Sequence, residues 1–421
     1  MHIKIDHIAK IEGHAGFVAD IAGGNVIKAR LDVAEGARLL EGILQGRSYD
    51  EVSQITARIC GVCPVVHTLT SLKALESAMG VSISAQTILL RKLMMMGQIL
   101  NSHALHLFFF SLSDFFGFKN DLALIKKYPG RAKEALILRE YGNKIIEIIG
   151  GRSIHPLTPE VGGFKKLPDE KKLEALAAQS KKALGAACNL AEFFGRLKYP
   201  DFKRNSQFIC LSAPDEYAIY DGIVRTGIKE IERVSNFVGK IKEAQIEQSA
   251  VKRAGWRGEP YMVGALARLN CQAKNLNPKA KTIFRNTDLV LPSQNPFHNI
   301  LAQAIEMVHC VEESRKLLEE IKEQGIEFEK PGFEIKAGKG YGAMEAPRGT
   351  LFYYYELGSD GLVKNANIIT PTSQNLARLE RDLAEYLPKL TKGKTACKEE
   401  CEDLIKMLVR AYDPCLTCAT H

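Results

Sequence analysis

Residues 58–67 read RICGVCPVVH, and residues 413–421 read DPCLTCATH. Each stretch holds two cysteines separated by two residues, with a histidine following shortly after. Four cysteines in two Cys-x-x-Cys pairs are a strong signal for a metal site. Because the pairs lie near opposite ends of a 421-residue chain, a shared site requires both ends to fold onto one core. The two stretches therefore predict a fold whose terminal segments meet at a buried metal.

The identity of the metal stays open at this point. Soft thiolate ligands suit nickel, copper(I), zinc and iron–sulfur clusters alike. A structural Zn(Cys)4 site usually staples a small local fold. A chain of 421 residues that is 46% hydrophobic can bury a large core without such a staple. A catalytic or electron-transfer site is therefore favoured, and structural zinc remains the alternative.

The composition is that of an ordinary globular protein. The chain carries 57 basic and 49 acidic residues, a formal net charge of +8, without a dense Lys/Arg run interleaved with aromatics. This argues against nucleic-acid binding. The opening MHIKIDHIAKIEG has charges where a signal peptide needs an apolar stretch, which favours a cytoplasmic location. A partner carrying the signal could still export the chain.

The patterning predicts a mainly α fold with small β elements (α+β). Residues 1–33 alternate as in a small N-terminal sheet, with a turn at Gly23-Gly24-Asn25, and helical patterns dominate from Leu39 to Cys401. A late β-hairpin is expected from TLFYYYEL and LVKNANIIT, which flank Ser359-Asp360-Gly361. We expect one domain over 1–421, built from an N-terminal β element (1–35), a central buried helix bundle (36–340), and the β-hairpin with the C-terminal metal-binding segment (341–421).

Residues 93–113, LMMMGQILNSHALHLFFFSLS, contain no formally charged side chain. The stretch is long enough to cross a bilayer. However, it contains Gln98, Asn101 and His103, and Asp114 follows directly. A helix that is apolar all round is otherwise typical of the centre of a large bundle. We therefore expect a core helix and no direct membrane span, with His103 and Asp114 bordering one buried site.

Further segments, in order, carry a family resemblance: KIEGHAG, LLEGILQGR, GGRSIHP, EAPRGT and ITPTSQN. Together with the two cysteine motifs they resemble the large, catalytic subunit of [NiFe] hydrogenases, over the whole chain. Lys10 stands where the family usually has arginine, which keeps the charge but not the bidentate geometry. The resemblance implies that family's large-subunit fold.

The resemblance implies reversible heterolytic cleavage of H2 at a Ni–Fe(CN)2CO centre. In that assignment Cys60 and Cys415 bind nickel alone, while Cys63 and Cys418 bridge nickel to an iron that carries CO and two cyanides. The Cys415 sulfur would accept the proton, with Glu12 as the first relay.

The resemblance also assigns the surroundings of the metals. Arg348 would lie above the open metal position, accompanied by Asp114, and it is a rival for the proton-accepting base. His67 and Arg348 would donate hydrogen bonds to cyanide nitrogens, and Pro371 with Thr372 would hold the other cyanide.

A magnesium ion is implied next to the metals, held by Glu41, the main-chain carbonyl of Ile368 and His421. Precursors in the family carry a tail beyond this histidine, so a sequence ending at His421 resembles the processed form. A maturation protease and a nickel chaperone would act on the precursor.

The electrons produced would have to leave through other chains. Apart from the two pairs, the sequence has no Cys-rich ferredoxin-like run and no clear Gly-rich nucleotide fingerprint. The resemblance supplies an obligate iron–sulfur small subunit. The short length, the opening IDHIAKIEG and the stretch EAPRGTLFYYYEL resemble the cytoplasmic multimeric branch, whose flavin and Fe–S subunits couple hydrogen to NAD(P), coenzyme F420 or ferredoxin. NAD(P) is the acceptor we favour.

Four alternatives remain. A membrane-bound, energy-converting hydrogenase would share the metal site, and a hydrogen sensor would keep every ligand but turn over slowly. The quinone-site subunit of respiratory complex I resembles the family in fold but lacks the four cysteines that are present here. A structural zinc protein would contain zinc and no nickel.

Overall fold

The structure is a computed structural model that describes residues 2–22, 25–227, 230–246, 249–329, 332–391 and 398–421. The described α-helices are α1 (Leu40–Leu44), α2 (Tyr49–Thr56), α3 (Pro64–Met79), α4 (Ala85–Leu105), α5 (Asp121–Lys127), α6 (Pro129–Gly150), α7 (Glu170–Gly195), α8 (Val234–Val238), α9 (Ala265–Gln272), α10 (Pro278–Arg285), α11 (His298–Gln324), α12 (Pro371–Thr391), α13 (Lys398–Ala411) and α14 (Leu416–Ala419). The described strands are β1 (His2–Ile5), β2 (Ala15–Ala22), β3 (Asn25–Val33), β4 (Pro159–Glu160), β5 (Gly163–Phe164), β6 (Gln207–Ser212), β7 (Ile223–Thr226), β8 (Glu230–Glu232), β9 (Ile241–Gln245), β10 (Lys252–Trp256), β11 (Tyr261–Met262), β12 (Gly338–Ala346), β13 (Gly349–Leu357) and β14 (Val363–Ile369).

The centre of the fold is a bundle of the long helices α4, α6, α7 and α11. Helices α4 and α6 pack directly through glycines. A Cβ added at Gly97 would lie 2.7 Å from the carbonyl oxygen of Gly142, and one at Gly142 would lie 2.5 Å from that of Gly97. Only residues without a side chain permit so close a crossing. The predicted central buried helix bundle is confirmed.

The uncharged segment 93–113 lies in the core, as expected, but is not one continuous α-helix. α4 ends at Leu105, and the chain continues as a π-helical stretch (His106–Ser111) and a 3-10 turn (Leu112–Phe115). A π-helical stretch widens the turn and shifts the faces that follow it. None of the described helices is long and apolar enough to cross a membrane.

The N-terminal sheet is antiparallel, in the order β1-β2-β3. Phe17 pairs with Ile5 on one side and Leu31 on the other, and all three side chains are buried. This confirms the small N-terminal sheet. The expected turn residues Gly23 and Gly24 lie outside the described residues.

The late hairpin forms as expected from β13 and β14, but β12 adds a third strand. β12 has the sequence GKGYGAMEA, and glycine is depleted in strands, so its pattern does not predict one. Its alternate glycines, Gly338, Gly340 and Gly342, face α3, where an added Cβ would collide with helix carbonyl oxygens. These glycines bring α3, which begins directly after Cys63, onto the sheet.

The expectation that helical patterns dominate from Leu39 to Cys401 is wrong between 207 and 262. Among the residues described there, six short strands, β6 to β11, surround the short helix α8. Four of them form a sheet in the order β11-β6-β7-β8, in which β6 pairs in parallel with the distant β11. Such non-local pairing leaves little trace in the local pattern.

Buried side chains from all three expected segments, such as Phe17, Leu93 and Leu408, belong to the same hydrophobic core. The division at residues 35 and 340 stays a prediction.

Candidate metal centre

The two cysteine segments lie face to face inside the protein. Cys63 is the residue before α3, and Cys415 is the residue before α14. The Sγ atoms of Cys60 and Cys415 are 3.4 Å apart, and those of Cys63 and Cys418 are 3.3 Å apart. All four sulfurs lie within 4.8 Å of one another, and all four residues are buried.

The chemistry of this cluster fits a thiophilic metal. Hydrogen bonds from the other thiols lower the pKa of Cys60, whereas burial raises the pKa of Cys415 and Cys418. Four thiolates packed this closely away from water would repel each other strongly, and a bound cation removes that repulsion. Thiolate is also the form that binds metals. The donor set therefore fits nickel, iron or zinc.

The loop between Cys60 and Cys63 is held by Gln98, a buried residue of α4. Its Nε2 donates to the carbonyl oxygen of Val62 (2.7 Å), and its Oε1 accepts from the amide of Val65 (3.1 Å). One side chain from the central helix thus fixes both sides of the cysteine pair.

Glu12 lies against the C-terminal cysteine segment. Its Oε2 is 2.9 Å from the Cys415 Sγ, and its Oε1 accepts a hydrogen bond from the Thr417 hydroxyl at 2.7 Å. Its main-chain carbonyl accepts from the amide of Leu416 at 2.9 Å. The loop between β1 and β2 therefore delivers a carboxylate directly to a cluster sulfur. Lys10, two residues earlier, instead forms an ion pair with Asp121.

Arg348 is buried beside the cluster, and its acidic partner is Asp413. The Arg348 Nη2 lies 2.9 Å from the Asp413 Oδ1, and its Nε donates to the Asp413 carbonyl oxygen at 2.7 Å. The Nη1 donates to the Ser102 hydroxyl at 3.3 Å. Burial favours the neutral guanidinium, but Asp413 and the cluster thiolates outweigh it and hold the pKa of Arg348 well above its ordinary value.

The expected association of Arg348 with Asp114 is wrong. Asp114 is bonded by Arg410 and lines a surface groove together with Lys10. His103 is paired with Glu306 in the core, with 2.9 Å between the His103 Nε2 and the Glu306 Oε2, and it does not share a site with Asp114. The π-helical and 3-10 turns after Leu105 change the direction in which residue 114 points. The periodicity of a regular α-helix therefore does not place Asp114 on the same face as His103.

His67 lies in the first turn of α3, next to the cluster. Its Nδ1 is 2.7 Å from the Tyr353 hydroxyl, and its Nε2 is 3.6 Å from the Cys418 Sγ. Burial lowers the pKa of His67 to about 3, so the ring is neutral. At the start of α12, Pro371 is followed by Thr372, whose hydroxyl oxygen accepts from the amide of Cys415 at 3.0 Å.

Glu41, Ile368 and His421 also come together. The His421 Nε2 is 2.7 Å from the carbonyl oxygen of Ile368 and 3.7 Å from the Glu41 Oε1. Burial alone would raise the pKa of Glu41, but His421, the amide of Ile368 and Lys252 lower it to about 2. The carboxylate is therefore charged and faces a carbonyl and an imidazole.

Several residues of the site could not be identified from the sequence. Asp413 stands inside the quoted motif, two positions before Cys415, and its φ of 48° lies in the left-handed region, which aspartate adopts more readily than most residues other than glycine. Ser102, Tyr353 and Gln98 carry no local signal, because serine, tyrosine and glutamine occur throughout any chain. Arg38, whose side chain bonds the backbone of both cysteine segments, also has no local sequence signal.

The sequence is similar to those of known proteins along the whole chain. The family described as nickel-dependent hydrogenase matches residues 38–134 and 214–421. The alpha subunit of sulfhydrogenase 1 from Pyrococcus furiosus is 35% identical over 421 residues, covering 100% of this chain and 97% of the relative. An F420-non-reducing hydrogenase subunit from Methanothermobacter marburgensis is 31% identical, covering 100% and 94%.

A solved structure has the same fold. A chain of an NAD+-reducing [NiFe]-hydrogenase in the H2-reduced state superimposes with a TM-score of 0.91 at 29% identity, covering 100% of this chain and 99% of that one. Taken with the buried cluster of four cysteines and the family match along the sequence, this shows that the chain belongs to the nickel-dependent hydrogenases, as a catalytic large subunit.

Proposed function

We propose that this subunit cleaves and forms H2 reversibly at a Ni–Fe centre. Cys60 and Cys415 would bind nickel alone, and Cys63 and Cys418 would bridge nickel to an iron that carries CO and two cyanides. The observation that carries the proposal is the buried cluster of four sulfurs within 4.8 Å, with a carboxylate 2.9 Å from one of them. When bound, the two metals would supply the Lewis acidity and redox capacity that H2 activation needs.

Proton transfer is assigned to Cys415 and Glu12. A proton held on the Cys415 Sγ has an acceptor in the Glu12 carboxylate, within hydrogen-bonding distance. Thr417 holds that carboxylate through its hydroxyl and its amide, which keeps the Glu12 Oε2 facing the sulfur. We therefore propose Glu12 as the first relay.

Arg348 is the weaker candidate for the base. Its raised pKa and its ion pair with Asp413 keep the guanidinium protonated, and a protonated guanidinium cannot accept a proton. We propose instead that Arg348 orients and stabilises groups at the open side of the cluster by charge and hydrogen bonding.

The pocket for the diatomic ligands would be formed by His67, Arg348, Pro371 and Thr372. If the Tyr353 hydroxyl donates to the His67 Nδ1, the neutral ring carries its proton on Nε2, toward the cluster. The Thr372 oxygen already accepts from the amide of Cys415, which leaves its hydroxyl hydrogen available for a cyanide nitrogen.

We propose that Glu41, the Ile368 carbonyl and His421 hold Mg2+. The proposal is supported by the proximity of these groups and by the charged state of Glu41. Carboxylate and carbonyl oxygens are ligands that Mg2+ prefers. The ion would tie the C-terminal residue to the late sheet.

An iron–sulfur small subunit is the proposed obligate partner. The relatives are named as individual subunits of hydrogenases. The surface near Cys60 supports the proposal, because residues 152–157 dock there, with the His155 Nδ1 2.9 Å from the Ala57 carbonyl oxygen. Large exposed apolar side chains are present within this stretch, at Ile154 and Leu157, and next to Arg38, which bonds the Ile59 carbonyl, at Leu39. Exposed apolar side chains that cluster on a surface are typical of protein interfaces.

Beyond that partner we propose a cytoplasmic complex with flavin and Fe–S subunits that pass electrons to NAD(P) or ferredoxin. A solved structure with this fold belongs to an NAD+-reducing enzyme, which supports NAD(P). The flavin and the clusters would reside on the partners, and the maturation protease and nickel chaperone would act on the precursor.

The test is an infrared spectrum of the purified complex in the range where metal-bound CO and cyanide absorb, together with its metal content. One CO band, two cyanide bands and bound nickel are expected, with iron in excess of nickel because the Fe–S clusters of the partner subunits also contain iron. Zinc with a blank spectrum would refute the Ni–Fe centre. H2-dependent reduction assayed with NAD(P)+ and with ferredoxin then identifies the acceptor, and very slow turnover with every acceptor would indicate a sensor.

A further inference from the structure

Arg38 connects the two cysteine segments to each other. Its Nη2 donates to the carbonyl oxygen of Ile59 at 2.7 Å, immediately before Cys60, and also contacts the carbonyl oxygen of Thr417, between the two C-terminal cysteines. Its main-chain amide donates to the carbonyl oxygen of Thr420 at 2.8 Å. One residue therefore bonds the backbone of both ligand loops.

The local backbone directs Arg38 to this position. Leu39 has a φ of 52°, a left-handed conformation that is uncommon for residues other than glycine, asparagine and aspartate. The chain turns there into α1, and Glu41 on that helix reaches the amide of Ile368 and the ring of His421. Arg38 and Glu41 thus contact the C-terminal segment at two separate residues, Thr420 and His421.

The contacts of Arg38 suit a guanidinium. Among the described residues, its guanidinium donates to main-chain carbonyls rather than to carboxylates. A planar guanidinium presents several donors in fixed directions and can bond carbonyls on separate loops at once, which the single ammonium of lysine does poorly. Its positive charge also lies against the carbonyls of the residues that directly precede Cys60 and Cys418.

We propose that Arg38 is a positioning residue that clamps the C-terminal segment (413–421) onto the loop that contains Cys60 and Cys63. The clamp would set how often this segment opens, and so how long the metals are retained. The retention part of the inference rests on the proposed Ni–Fe centre, whereas the clamp itself does not.

The experiment is hydrogen–deuterium exchange on the purified full complex. The reporters are the amides of Cys415, Leu416 and Thr417, whose acceptors are on Thr372 and Glu12. Arg38→Met, which keeps an apolar stem and the main-chain amide but removes every side-chain donor, should speed their exchange about tenfold or more, because local opening governs exchange. Exchange in the central bundle should not change.

Two further variants sharpen the test. Arg38→Lys keeps the charge and should give an intermediate rate. Arg58→Met removes an exposed arginine from the same neighbourhood and should leave the rate unchanged. If the reporter amides of Arg38→Met exchange at the same rate as those of the wild type, the clamp is refuted. If Arg38→Met does not assemble, wild-type exchange in Arg38→Lys overturns it.

Metal retention gives a second readout. Nickel loss to a chelator should be about tenfold faster in Arg38→Met than in Arg58→Met, because opening precedes release. Altered exchange in a protein that proves to hold zinc would keep the clamp and refute the Ni–Fe centre. Unaltered exchange and retention with normal CO and cyanide bands would refute the clamp alone.

Discussion

The contact between α3 and β12 makes a quantitative prediction for Gly342→Ala. A Cβ at this position would lie 2.5 Å from the carbonyl oxygen of Thr70 and 2.9 Å from the amide nitrogen of Ala74, whereas ordinary contact begins near 3.4 Å. Both obstacles are backbone atoms, so no rotamer change relieves the clash. The helix and the strand must separate by about 1 Å, and such a gap removes a quarter to a half of the dispersion energy across it.

The expected cost is about 3 kcal/mol, at the upper end of ordinary overpacking. Unfolding entropy is roughly 2.1 cal/mol/K per residue, or about 0.9 kcal/mol/K for a chain of this length, so Tm should fall by about 3 °C. Without the clash, alanine would raise the stability by about 0.5–1 kcal/mol, because glycine loses more entropy on folding.

Thermal unfolding at one fixed scan rate, followed by circular dichroism, measures the effect. The matched control is Gly185→Ala, at an exposed position in α7 where a Cβ meets nothing within 4 Å, and its Tm should rise by about 1 °C. Ala74→Gly should not rescue Gly342→Ala, because it leaves the helix backbone in place. A Tm for Gly342→Ala at or above that of the wild type, or rescue by Ala74→Gly, would refute the reasoning.

Three further outcomes are expected. Tyr353→Phe removes the partner of the His67 Nδ1 and should shift a cyanide band in the infrared spectrum at unchanged nickel content; an identical spectrum contradicts the assigned pocket. Burial raises the pKa of Asp114 from 3.8 to about 6. The protonated carboxyl group therefore contributes fully to the stability of the fold below pH 3.8, and this contribution is lost as the pH rises through about 6. The Tm of Asp114→Asn should therefore fall less than that of the wild type as the pH rises over this range. Equal falls in Tm for the two proteins would show that Asp114 does not titrate there. Glu41→Gln should release most of the bound magnesium, as measured by elemental analysis, and full retention would exclude Glu41 as a ligand.

Some features of this protein were determined by short stretches of sequence. The two Cys-x-x-Cys motifs predicted a four-sulfur cluster, because their spacing places both thiols of a pair on one side of a turn. Alternation predicted the N-terminal sheet, and helical periodicity predicted the central bundle. Each of these depends on residues close together in the chain, where local pattern and local structure are directly related.

The tertiary structure decided which distant groups meet. Arg348 pairs with Asp413 rather than Asp114, because a π-helical stretch follows Leu105 and Asp413 adopts a left-handed backbone. β12 becomes a strand because its glycines accommodate α3, although glycine disfavours strands. Arg38 reaches both cysteine loops only once the chain ends have come together. Such partnerships depend on the path of the whole backbone, which no local pattern encodes, and they position the charges around the four sulfurs that the sequence had already identified.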